Sequence, residues 1–208
     1  MDHAAWFAIC SSLIVLAGAP FYLRDILRGH TRPERTTWLI WSVQAMIAFF
    51  SQLKLGARWS LLFFGLGAIG NLVVYGLSLR HGYGGWKRAD KIALVVATLG
   101  VIIAWATHDA MAALWGVIIA DFAGAVLTIQ KAYKIPKSET TITWLLAGLA
   151  AVLTALSVGR FSFDLLIYPI YLASICFAIP IAQVLGRAAK TEHKRSVESA
   201  TPPMDASE

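Results

Sequence analysis

Residues 110–129 read AMAALWGVIIADFAGAVLTI, twenty residues carrying a single charged side chain, Asp121. As an α-helix rising about 1.5 Å per residue, such a run crosses a hydrocarbon core about 30 Å thick. A membrane β-strand would alternate apolar and polar positions over about ten residues, and this run does not alternate. The stretch is therefore read as a membrane-spanning helix. The whole chain agrees, because 58% of its 208 residues are hydrophobic and 14% are charged, against roughly 25% charged in soluble domains. That composition excludes a soluble enzyme, a secreted disulfide scaffold and a disordered chain.

Six further apolar stretches flank this one, at 4–23, 37–53, 60–79, 92–107, 141–158 and 161–185. The expected fold class is all-α, a polytopic bundle of seven transmembrane helices. Ala17-Gly18-Ala19 looks like a signal-peptidase site, but no Lys or Arg precedes it and Pro20 follows it, so the first stretch is read as a retained helix. Fifteen of the 18 Lys and Arg fall in 24–36, 80–91, 130–140 and the segment after 185. These segments alternate with those that hold the other three cations, Lys54, Arg58 and Arg160. The positive-inside rule then places the N-terminus outside and the C-terminus in the cytoplasm of a multi-pass cell-membrane protein. Topology thus accounts for the net charge of +6, and no nucleic-acid partner is needed. Residues 188–208 mix charges with Ser, Pro and Ala and are expected to be a disordered tail.

A shift of 102 to 103 residues brings two parts of the chain into register. Arg28-Gly29-His30-Thr31-Arg32-Pro33 falls on Lys131-Ala132-Tyr133-Lys134-Ile135-Pro136, Thr37 on Thr140, and Trp41 on Trp144. Further on, Gly56-Ala57-Arg58-Trp59-Ser60 meets Val158-Gly159-Arg160-Phe161-Ser162. Spans one to three then map onto five to seven. The chain divides into a first repeat at 4–79, a loop and linker helix at 80–107, a second repeat at 108–187, and the tail. One odd linker leaves both repeats in the same orientation, as parallel repeats about an axis along the membrane normal.

This plan resembles the PQ-loop and SWEET superfamily of membrane transporters. The local resemblance lies in the basic segments after spans one and five, Arg24 to Thr31 and Lys131 to Glu139, which look like the family's cytoplasmic loop. Neither repeat carries the Pro-Gln pair of that loop. The resemblance implies a facilitator or proton-coupled carrier of a small polar solute such as a sugar or amino acid, working by alternating access. A receptor or accessory protein that binds cargo without moving it is the alternative.

Polar side chains near the bilayer midplane are costly, which makes them functional candidates. Asp121 lies roughly 16 Å into its span; a carboxyl there is a candidate for proton coupling, the role the resemblance implies for an acid in the fifth helix. Asn71 lies at similar depth in the third span and resembles the Asn that lines the SWEET sugar pocket. Its amide both donates and accepts, which suits a hydroxylated or zwitterionic solute. Gln44, Tyr168, Tyr171 and Ser174 reach comparable depths, and Tyr75 lies a turn from Asn71 on the same face; these are the further candidates for the substrate pocket, and the first reading of each is packing or a helix contact. Pro20, Pro169 and Pro180 are candidate hinges, since proline frees a backbone carbonyl. The tryptophans, Trp38, Trp41 and Trp144 among them, are read as an interfacial belt. All five histidines are placed in loops or termini, and the seventh span holds no lysine. No haem, metal, retinal or other cofactor is expected, nor a catalytic cluster, so the chain is not read as an enzyme. Its expected partners are membrane lipid and the solute, and its oligomeric state is left open.

Overall fold

The computed structural model describes residues 3–54, 60–85, 87–106, 110–157 and 163–200. Seven helices follow one another: α1 (His3–Leu27), α2 (Arg35–Lys54), α3 (Ser60–His81), α4 (Arg88–Ala106), α5 (Ala110–Lys134), α6 (Thr141–Ser157) and α7 (Phe163–Ala200). Among the described residues there is no strand, only an isolated bridge between Glu34 and Tyr83. The all-α class is as expected. By length and composition, among the described residues, four of the helices, α1, α4, α5 and α7, are apolar and long enough to cross a membrane. The apolar α6 has 17 residues, and α2 contains Arg35, Gln44, Gln52 and Lys54.

The surface is compatible with a bilayer. Leu13, Ile69 and Val95 are each 60% exposed, whereas Ala120, Ala125 and Ala132 are fully buried. Large apolar side chains thus point outward all along the helices and small ones line the contacts. Water would not tolerate so extensive an apolar exterior, and lipid gives no reason to hide it. Helices in lipid associate by close packing instead. At the α4–α5 contact, the same five residues, Gly-Val-Ile-Ile-Ala, occur at 100–104 and 116–120. A Cβ added at Gly100 would lie 2.5 Å from the Gly116 carbonyl oxygen, and one at Gly116 would lie 2.5 Å from that of Gly100. The antiparallel pair therefore meets backbone to backbone.

Loop hydrogen bonds fix the helix directions. The α1–α2 turn bonds the α5–α6 turn through Arg32 N to Ser138 O (2.9 Å) and the Thr31 and Thr140 hydroxyls. It bonds the α3–α4 turn through Tyr83 N to Pro33 O (2.8 Å) and Arg35 N to Tyr83 O (3.0 Å). Gln183 of α7 donates to the Pro136 and Glu139 carbonyls. The helices therefore run alternately up and down, and the segments holding fifteen of the 18 cations share one end. We call it the basic end.

Neighbours follow a pattern. α3 lies between α1 and α2, α7 lies between α5 and α6, α1 packs on α6, α2 packs on α5, and α4 rests against α5 and α2. Leaving out α4, exchanging α1 with α5, α2 with α6 and α3 with α7 returns the same pairs, although α1 touches α3 only slightly where α5 packs on α7 extensively. Two hydrogen bonds obey the same exchange: Thr37 Oγ1 donates to Gly124 O (2.6 Å), and Thr143 Oγ1 donates to Gly18 O (3.2 Å). Gly18 to Gly124 and Thr37 to Thr143 are both steps of 106 residues. In this part of the fold the register is 106 and pairs Trp38 with Trp144, where the sequence pattern suggested Trp41. The second pair of look-alike segments, 56–60 and 158–162, falls almost wholly outside the described residues.

The C-terminal segment departs from expectation. Residues 188–200, expected to be disordered, continue α7 as helix. Alanine, lysine, glutamate and arginine dominate there, and all four favour helix. Pro169 and Pro180 lie inside the same uninterrupted α7, and Pro20 inside α1.

Candidate functional site

Asp121 sits on the face of α5 turned toward α7, and it is 8% exposed. Tyr171 of α7 donates its hydroxyl to Asp121 Oδ2 at 2.7 Å. Tyr168 stacks on Tyr171 with ring centroids 6.2 Å apart. The Trp41 indole lies beside the Asp121 carboxyl, but its N–H makes no hydrogen bond. Asn71 of α3 donates to the Trp41 carbonyl at 3.2 Å, and Gln44 of α2 donates to Val117 O, one turn from Asp121, at 3.3 Å. Asp121, Tyr168 and Tyr171 are thus together, with Asn71 joined to them through Trp41 and Gln44 spanning α2 and α5.

Two of the sequence candidates stand apart. Ser174 bonds the Ile170 carbonyl of its own helix on an exposed face. Six residues separate it from Tyr168, which places the two side chains about 120° apart around the helix. Tyr75 is half-buried, and the interaction seen there is its carbonyl accepting from the Ser78 hydroxyl. Grooves along the flanks of α7 near the basic end, one of them lined by Ile129, Tyr133, Ala178 and Ile181, do not include Asp121 or Asn71. Among the described residues no group of His, Cys, Asp or Glu is arranged to hold a metal ion.

A second layer, at the basic end, was not foreseen. Glu139 accepts from the Tyr22 hydroxyl and from Trp144 Nε1, both at 2.9 Å on Oε2. Its other oxygen pairs with Lys131, which also donates to the Arg32 carbonyl. The Lys131 and Glu139 side chains are 1% and 0% exposed. Removing one partner of such a pair leaves a bare charge and costs about 3–5 kcal/mol. Nearby, Thr140 donates to Asp25 Oδ2 at 3.0 Å.

Glu34 caps α2, accepting from the Thr37 N–H at 2.7 Å and its hydroxyl at 3.0 Å. Burial pushes the Glu34 carboxyl above its ordinary range; the Thr37 bonds pull the other way, and Asp90 adds to the rise. Asp90 in turn holds the α3–α4 turn by accepting from Gly85 N and Lys87 N.

The tryptophans also differ from their expected place. Trp38, Trp41 and Trp144 pack inward on Tyr22 and on one another instead of forming a belt. Their depth near the basic end was legible, but an apolar helix gives no sign of which way each ring turns. Glu139 looked like one more loop charge, because the two residues that bury it, Tyr22 and Trp144, lie on different helices.

No protein-family model, curated protein or solved structure matches the chain.

Proposed function

We propose that this protein is a seven-span carrier of a small polar solute, such as a sugar or amino acid. It works by alternating access between two parallel three-helix repeats, α1–α3 and α5–α7, with α4 as linker. The observation that carries the reading is the exchange of helix neighbours, matched by the Thr37–Gly124 and Thr143–Gly18 bonds between the two sets. Two equivalent halves meeting across one interface are the machinery that rocking about a central site requires. Asp121 is a buried acid beside that interface, where proton movement couples to solute movement. The shorter α6 still reaches about 26 Å, close to the hydrocarbon thickness, and the Gln44 amide of α2 is satisfied by Val117 O. Under the positive-inside rule the basic end faces the cytoplasm of the cell membrane. The plan is similar to that of the PQ-loop and SWEET transporters.

One observation favours the receptor alternative: Asn71 and Asp121 already spend hydrogen bonds on Trp41 and Tyr171. Purified protein in proteoliposomes, offered labelled hexoses and neutral amino acids with and without an imposed pH gradient, separates the two. A carrier gives saturable flux, and Asp121→Asn removes its acceleration by the gradient. Saturable binding without flux establishes the receptor instead. An unchanged pH profile in Asp121→Asn refutes the coupling role.

A further inference from the structure

Four aromatic rings close a circuit between the Asp121 layer and the Glu139 layer. Tyr22 meets Trp38 at 5.4 Å and Trp144 at 6.1 Å; Trp41 meets Trp38 at 5.2 Å and Trp144 at 6.0 Å. One edge of the circuit bonds Glu139 through Tyr22 and Trp144, and Trp41 on the other edge adjoins Asp121. The rings come from α1, α2 and α6, so both three-helix sets contribute.

Beneath the rings, the hydrogen bonds that join the end of α1 and its turn to the end of α5 and its turn are polar and mostly buried. They are Tyr22 to Glu139, Lys131 to Arg32 O, Arg32 N to Ser138 O, Thr31 with Thr140, and Thr140 to Asp25. A permanent contact in lipid is better made as α4 and α5 make theirs, from glycine and alanine. A buried ion pair gives no more stability than an apolar replacement of the same shape. Its placement here suits a contact that opens. Lys131 and Glu139 belong to the same set, eight residues apart. When the sets part, each keeps the other as partner, and no lone charge is left behind. What breaks are the Tyr22 hydroxyl bond, the Lys131 bond to Arg32 O, and the backbone and hydroxyl bonds of the turns, all of which water can replace.

We infer that the basic end carries a gate, closed in this structure, in which Tyr22 latches onto Glu139, the four aromatic rings are the plug, and Lys131 keeps Glu139 neutralised while the latch is open. This rests on the carrier reading above. Cys176 supplies a native reporter, because it is half-buried, packs against the Tyr22 and Trp144 cluster and lies near Asp121.

The test uses the full chain in vesicles, in a Cys10→Ser background, with an impermeant methanethiosulfonate applied from the basic side. Cys176 should react slowly in this parent, and Tyr22→Phe should raise its rate about fivefold, the population shift expected from one lost hydrogen bond. Thr31→Cys with Thr140→Cys, whose parent hydroxyls are 2.5 Å apart, should form a disulfide on oxidation. That bridge should hold Cys176 labelling below the parent rate and stop flux until reductant is added. Parental flux through the bridged protein overturns the gate and leaves the carrier standing. Cys176 labelling that ignores both Tyr22→Phe and the bridge also overturns it. Labelling that follows the latch, in a protein that moves no solute in any form, upholds the gate and overturns the carrier.

Discussion

Glycine at 100 and 116 is set by contact, not by backbone conformation: each Cα faces the carbonyl of the other helix, and neither backbone can retreat without parting α4 from α5. Gly116→Leu should therefore cost at least the ~1–3 kcal/mol of an overpacked core, read as a lower unfolding temperature in detergent. Gly67→Ala meets nothing within 4 Å and should hold or gain stability, as alanine does over glycine in a helix. Equal losses at both positions would remove the close approach as the cause. Glu34 tests a different force. Its carboxyl is raised chiefly by burial, so folding favours the protonated form. The stability this gives is full below the unfolded carboxyl value of about 4.3 and is lost as pH climbs through the raised folded value. Glu34→Gln keeps an oxygen for the Thr37 N–H and carries no charge. Its unfolding temperature relative to wild type should rise from pH 4 to pH 8. A relative fall over that range would mean that the ionised carboxylate stabilises the turn.

Between helices, the paired bonds Thr37–Gly124 and Thr143–Gly18 predict that both threonines stabilise the contact between the two sets. Thr143→Val should cost about 0.5–1.5 kcal/mol, the net value of one hydrogen bond. Thr37→Val should cost more, because Thr37 also bonds Glu34 and accepts from Thr128. Chemical unfolding in mixed micelles would rank them, and a larger loss at Thr143 would contradict the network at Thr37. These bonds also mark what a sequence reveals. The helices were legible because hydrocarbon thickness imposes long apolar runs, and Asp121 stood out because a charge in such a run is conspicuous. The register was not, since cations and tryptophans also coincide at a step near 103, and only hydrogen-bond partners disclose the 106-residue step. The inward turn of Trp41 and the burial of Glu139 are hidden for a related reason. Hydropathy reports how deep a residue lies, whereas a helix apolar on every side does not say which side faces its neighbours. The helical continuation of 188–200 was hidden by its charges, which mark the segment as solvated without deciding whether it is coiled.

At the scale of the molecule, the number of helices that cross lipid decides whether a path between two sets is possible. Counting α1, α4, α5 and α7 alone gives four crossings; counting every helix gives seven. The two counts differ in where Arg88 and Phe163 lie. Between them run α4, α5 and α6. If α6 crosses, the two residues lie on opposite sides; if it does not, they lie on the same side. Both positions are exposed at the start of a helix, so a cysteine at either is open to reagent. With Cys10 and Cys176 replaced by serine, an impermeant maleimide should label Phe163→Cys on intact cells and Arg88→Cys only after the membrane is opened. That outcome fixes the parity and the orientation together, because the cation-rich α3–α4 turn precedes Arg88. Labelling of both from outside, or of neither, would leave α6 lying against the bundle without spanning it. The three-helix sets would then be unequal, and alternating access between them would lose its physical basis.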